Sequence, residues 1–305
     1  MRYAIVTMFT VLLCGLTSLT NGQAVEDTST TSLQTQYGEL RLRYFKNAPY
    51  PHPSRENGWQ YNDTDYPAET HYSDSTVGIF IPVNYSPQKR VDYIVHFHGH
   101  MNHVAKVFSD FSLQQQVFKS GVNAILLVPQ GPKNARDSGC GRLEEEPDAF
   151  GKLLSEVTNF LLSESVIKTD SIGKIVITAH SGGYKVTGNI VSRSELKGHI
   201  TDLILFDATY SNLEGFAAWA KIDRSRRLVS IFTNHLSGEN IELVSMLDDF
   251  SLPYSMTLDS RLSDKNLTSR KAHFIYTTEL GHNELLTKKD YYSLFLQTSA
   301  LAATN

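Results

Sequence analysis

Beyond residue 91 the sequence settles into a rhythm: short, almost uninterrupted apolar runs alternate with polar turns and with segments of helical spacing. Strands are predicted at 91–98, 123–128, 174–179, 202–206, 228–232 and 272–277, and helices at 149–164, 184–193, 241–249 and 289–297. Strands this apolar on both sides belong in a parallel sheet covered on both faces. The expected class is therefore α/β, with a mostly parallel central sheet flanked by helices on both faces. Upstream, 38–45 alternates apolar and polar residues and 75–83 (STVGIFIPV) reads as a further strand. Between them, 48–68 carries four prolines and reads as an ordered loop. No repeat or linker divides the chain, so residues 37–305 are expected as a single domain with an aromatic-rich N-terminal extension, 37–74.

Composition removes several function classes. The chain has 305 residues, 41% of them hydrophobic, enough for a sizeable core. Twenty-eight Lys and Arg against 32 Asp and Glu give a net charge of −4, without the basic patch a nucleic-acid partner requires. Residues 1–24 place a positive charge ahead of an apolar run and then small polar residues, the layout of a secretory signal peptide. The run is too short for a stable membrane anchor. The bulky Leu13 before Cys14 argues against a lipoprotein signal. Residues 25–36 are Ser/Thr-rich and read as a disordered tether. Removal of the leader would leave Cys140 alone, a structural thiol in a secreted chain built without an intramolecular disulfide. Asn62, Asn84 and Asn266 head glycosylation triplets.

The chemistry is concentrated where the run 174–179 meets Ala179-His180-Ser181-Gly182-Gly183. A strand that ends in a serine, with small residues two before and two after it and a helix beyond, meets the steric demands of a nucleophile elbow. A plain strand-to-helix turn is the alternative. Asp207 closes the strand 202–206, and His282 follows the strand 272–277, which gives the chain order Ser, acid, His. Glu239, Asp248 and Asp249 on a later loop remain alternatives for the acid.

The stretches AHSGG, LILFDATY and ELGHNELL resemble the α/β-hydrolase superfamily over roughly 75–297. The segment IPVNYSPQKRVDYIVHFHG is similar to the start of that superfamily's secreted esterases and polyester depolymerases. The resemblance implies a serine hydrolase with Ser181 as nucleophile, His282 as base and Asp207 as its orienting acid. It implies cleavage of an ester or amide bond, with no cofactor or metal. A polar polymer or its fragments, polysaccharide or peptide, is the expected substrate. A catalytically inactive binding module on the same fold is the alternative from another class.

The run His96-Phe97-His98-Gly99-His100-Met101-Asn102-His103 admits two readings. In one, backbone N–H groups of His100 or Met101 join that of Gly182 in an oxyanion hole, and His98 shapes the cleft. In the other, His96, His98, His100 and His103 supply zinc ligands. The loop 130–142 carries Arg136 and Arg142, suited to a substrate carboxylate. Tyr184, Phe216 and Trp219, with Tyr50, Trp59 and Tyr61 from the extension, are candidate cleft walls.

Overall fold

The computed structural model describes residues 29–269 and 271–302. Twelve strands occur in it: β1 (Thr30–Thr35), β2 (Gly38–Tyr44), β3 (Trp59–Tyr61), β4 (Thr64–Tyr66), β5 (Thr76–Pro82), β6 (Val91–Phe97), β7 (Ile125–Pro129), β8 (Ile172–His180), β9 (Ile200–Phe206), β10 (Arg227–Phe232), β11 (Tyr254–Leu258) and β12 (Ala272–Tyr276). Ten of them form one sheet in the order β1-β2-β5-β7-β6-β8-β9-β10-β12-β11, while β3 and β4 make a separate hairpin. The pairings from β7 through β11 are parallel; β1, β2 and β5 join antiparallel at one edge.

Successive side chains of a strand point to opposite faces, and here both faces are buried. Ile175, Ile177 and Ala179 of β8 enter one core with the helices Ala149–Ser163, Tyr184–Arg193, Leu213–Ile222 and Ser237–Asp249. Val176 enters the other, against the helices Val104–Asp110, Leu113–Ser120 and Tyr291–Gln297. This two-sided burial explains why the central strands read as unbroken apolar runs. It also brings the C-terminal ends of β6, β8, β9, β10 and β12 to one edge, where loops can gather chemistry.

Two expectations are corrected by the fold. The tether expected over 25–36 is a strand over Thr30–Thr35, paired residue by residue with β2; 25–28 and the leader 1–24 lie outside the described residues. Its first five side chains are exposed, so backbone pairing rather than burial holds it, and composition gives no sign of that. The loop expected over 48–68 contains the β3–β4 hairpin, whose Trp59 and Tyr61 are exposed. No helix among the described residues is long and apolar enough to cross a membrane.

Candidate active site

β8 runs to His180 and stops at Ser181, which has φ = 53°. A left-handed serine is strained, and the turn holds because its surroundings allow no alternative. A Cβ on Gly183 would lie 2.4 Å from the Phe97 carbonyl oxygen, so the helix Tyr184–Arg193 can leave the elbow only from a glycine. Gly99 matters equally: a Cβ there would sit 2.5 Å from Ser181 Cβ and 3.1 Å from Ser181 Oγ. The turn after β6 therefore passes directly over the serine.

Asp207 ends β9, also at positive φ, and is fully buried. Its Oδ1 accepts the Thr233 N–H at 2.7 Å, and its Oδ2 accepts the Thr233 hydroxyl at 2.9 Å and the His282 Nδ1–H at 2.9 Å. Burial pulls this carboxyl up, but the hydrogen bonds from His282 and Thr233 outweigh it and keep the group below the ordinary carboxylate range. Among the candidate acids, Asp207 is the one bonded to His282; Glu239 lies in the first turn of the helix Ser237–Asp249. The His282 ring lies between two others. His180 overlaps it with centroids 4.6 Å apart, and His235 meets it edge-on at 5.5 Å. Burial, together with the neighbouring His282, drives the His180 pKa down to about 3, so His180 packs as a neutral ring. Ser181 and His282 are not hydrogen-bonded to each other.

The histidine run divides into separate structural roles. His96 is buried and bonds Thr178 at 2.8 Å. His103 caps the helix Val104–Asp110. His98 donates from Nδ1 to the Gly99 carbonyl at 2.9 Å and accepts the Gly131 N–H at Nε2 at 3.1 Å, which pins the Gly99 turn to the loop after β7. It is a support beneath the turn rather than a cleft wall. His100 bonds Ser138 at 2.9 Å, its ring faces Gly182, and burial lowers its pKa. The four do not converge on one point. The ligand atoms that do gather among the described residues belong to Asp207, His235 and His282, yet each Asp207 oxygen already accepts hydrogen bonds, an arrangement for orienting imidazoles rather than for seating an ion.

The expected oxyanion donors also separate. The Met101 N–H is taken by the Ala135 carbonyl at 3.0 Å, so Met101 is not a free donor. His100 and Gly182 have no such backbone partner among the described residues. Trp219 and Phe216 are fully buried in the core of the helix Leu213–Ile222 and do not wall the site. Their apolar spacing serves packing. Arg142 is tied to the Ala48 and Pro51 carbonyls and to Glu146. Arg136 is exposed, its guanidinium 6.0 Å from the Tyr61 ring, while its carbonyl accepts from Trp59 at 3.2 Å. Tyr184 is half-buried beside Tyr210, centroids 5.6 Å apart. Cys140 is buried and its thiol pKa raised by that burial. Four neighbours were not legible from spacing: Gly99, Tyr210, Thr233 and His235. The last two follow β10 directly at the same sheet edge, the single sequence signal that points to them.

No protein-family model and no curated protein matches the sequence. Among solved structures, a mutant of the feruloyl esterase module from Clostridium thermocellum complexed with sinapinate is similar at 12% identity and TM-score 0.51, over 73% of this chain and 82% of that one. A ferulic acid esterase is similar at 12% identity and TM-score 0.48, over 73% and 91%. The likeness is one of fold, and the fold is that of the α/β-hydrolases.

Proposed function

We propose that this chain, an α/β-hydrolase fold by architecture, is an exported serine esterase that works through Ser181, His282 and Asp207. The observation that carries the proposal is the 2.9 Å bond from His282 Nδ1 to a buried, ionised Asp207 at the sheet edge where Ser181 stands on its strained turn. With Nδ1 held as donor, Nε2 is the basic nitrogen and takes the proton as Ser181 Oγ attacks the ester carbonyl. The alkoxide of the tetrahedral intermediate is met by the backbone N–H groups of Gly182 and His100. Collapse leaves an acyl-Ser181 and releases the alcohol, protonated by the His282 imidazolium. Water attacks the acyl-enzyme by the same route.

An ester substrate is favoured by the feruloyl esterase module among the fold neighbours. The exposed Trp59 and Tyr61 and the cationic Arg136 offer flat apolar and anion-binding surfaces for a polar polymer or its fragments. Export rests on the charged-then-apolar layout of residues 1–24. The test is hydrolysis of p-nitrophenyl acetate by the protein and by Ser181→Ala. The expected result is turnover that the substitution reduces to background; turnover retained in the variant contradicts the proposal.

A further inference from the structure

The N-terminal extension grips the loop after β7 from Lys133 to Arg142. The His71 carbonyl accepts the Lys133 N–H at 2.9 Å, and the Pro49 carbonyl accepts the Arg142 N–H at 3.0 Å. Between these ends, the Trp59 indole N–H donates to the Arg136 carbonyl at 3.2 Å. The central tie is ionic and forked. Arg55, stacked on the Trp59 ring at 4.5 Å, donates from Nε to Asp137 Oδ2 at 2.7 Å and from Nη2 to Asp137 Oδ1 at 3.0 Å. Two charge-assisted bonds to one buried carboxylate fix its orientation as well as its distance. Asp137 Oδ1 also accepts the Gly139 N–H at 2.8 Å, so the carboxylate holds the backbone on both sides of Ser138.

The Ser138 hydroxyl, held in this way, is 2.9 Å from His100 Nε2. A Cβ on Gly182 would lie 2.7 Å from His100 Cδ2 and 3.0 Å from Ser138 Oγ, so the ring and the hydroxyl both abut the elbow. Two backbone bonds stitch the same two loops together: Met101 N–H to the Ala135 carbonyl at 3.0 Å, and Asn134 N–H to the Asn102 carbonyl at 2.9 Å. His100 and Gly182, the two oxyanion donors of the proposed mechanism, therefore meet at Ser138. We propose that Arg55 and Ser138 are positioning residues for the oxyanion hole: the extension, through Arg55 and Asp137, sets Ser138, and Ser138 sets the His100 turn against Gly182. Neither residue need touch the reacting atoms. A donor held slightly off its place weakens a bond that reaches full strength only in the transition state, and it leaves substrate binding unchanged.

The proposal rests on the serine-esterase reading, and its test separates the two. Hydrolysis of p-nitrophenyl acetate and its inhibition by trifluoroacetone are measured for the protein, Ser138→Ala, Arg55→Lys and the double variant, with Ser181→Ala as reference. Trifluoroacetone reports on the hole itself: Ser181 Oγ bonds to the ketone carbon, the carbonyl π pair moves onto its oxygen, and the serine proton passes to His282. The resulting oxyanion faces the same N–H groups. Arg55→Lys keeps Asp137 paired with a cation but loses the fork. Ser138→Ala removes one hydroxyl from a half-buried position and reads the link even where Arg55→Lys fails to fold. Expected in each single variant is a fall in kcat of about three- to tenfold with KM unchanged, the scale of one net hydrogen bond, and a rise in Ki by the same factor. No further change is expected in the double variant, because both residues act through one contact. A loss confined to KM, or multiplicative losses in the double variant, would overturn the proposal. So would an unchanged Ki, since a lower kcat alone marks less folded protein rather than a displaced donor. Failure of Ser181→Ala to stop turnover would instead overturn the esterase reading.

Discussion

At the residue scale, Asp207 carries an unusual load. It is buried, sits at φ = 44°, and receives three hydrogen bonds, two of them from Thr233. Asp207→Asn keeps the shape but replaces an acceptor-only carboxylate with an amide that presents an N–H, so it no longer enforces the Nδ1-protonated tautomer of His282. The expected loss in kcat is on the order of 10⁴-fold, the scale seen when that tautomer is lost in triads of this kind. Glu239→Gln, at the half-buried rival carboxylate, should leave kcat within a few-fold. Ester turnover of both variants decides between them, and a reversed pattern would reassign the acid. Ser181, Asp207 and His282 were legible because each follows an apolar strand. Tyr210 and His235 were not, since their place beside the site depends on how separate strand ends meet in space. Trp219 was misread for a related reason: an aromatic on an amphipathic helix gives no sign in sequence of whether it faces a cleft or a core.

At the scale of elements, the parallel strands could be read because burial on both faces writes itself into composition, whereas β1 and β11 expose their side chains at the sheet margins and left no such trace. The central strands are also tied by a device that sequence cannot reveal. Arg227 at the start of β10 pairs with Asp202 of β9 at 2.7 Å, with both side chains wholly buried. Its guanidinium donates further to the carbonyls of Leu267, Phe295 and Thr298, thereby docking the C-terminal helix against the sheet. Removing one partner of such a pair strands the other charge in the interior. Arg227→Met should therefore lower unfolding stability by about 3–5 kcal/mol, readable in urea titrations. A loss below about 1 kcal/mol would mean that the pair contributes little beyond the packing that methionine restores.

At the scale of the whole molecule, the packing of neutral imidazoles ties stability to pH. His96, His98 and His180 are buried, and desolvation is the leading cause that brings their pKa values down to about 3, 4 and 3. In the unfolded chain each titrates near 6.5. Above that value both states are neutral and stability is complete. Below it, the unfolded chain takes up protons that the folded one refuses, so stability falls as pH drops from about 6.5 toward 4. The slope approaches about 4 kcal/mol per pH unit when all three groups contribute. Urea unfolding midpoints at pH 7, 6 and 5 should decline with increasing steepness, and a flat series would show that these rings are protonated in the folded protein.

Whether Ser181 is a nucleophile raised by its turn and served by His282 is read out by fluorophosphonate labelling of the intact protein followed by peptide mass spectrometry. Phosphonylation needs an activated serine and a working oxyanion hole together. A single stoichiometric adduct is expected on the peptide carrying Ser181, formed only slowly in Asp207→Asn. An unlabelled protein, or an adduct on any other residue, would contradict that role.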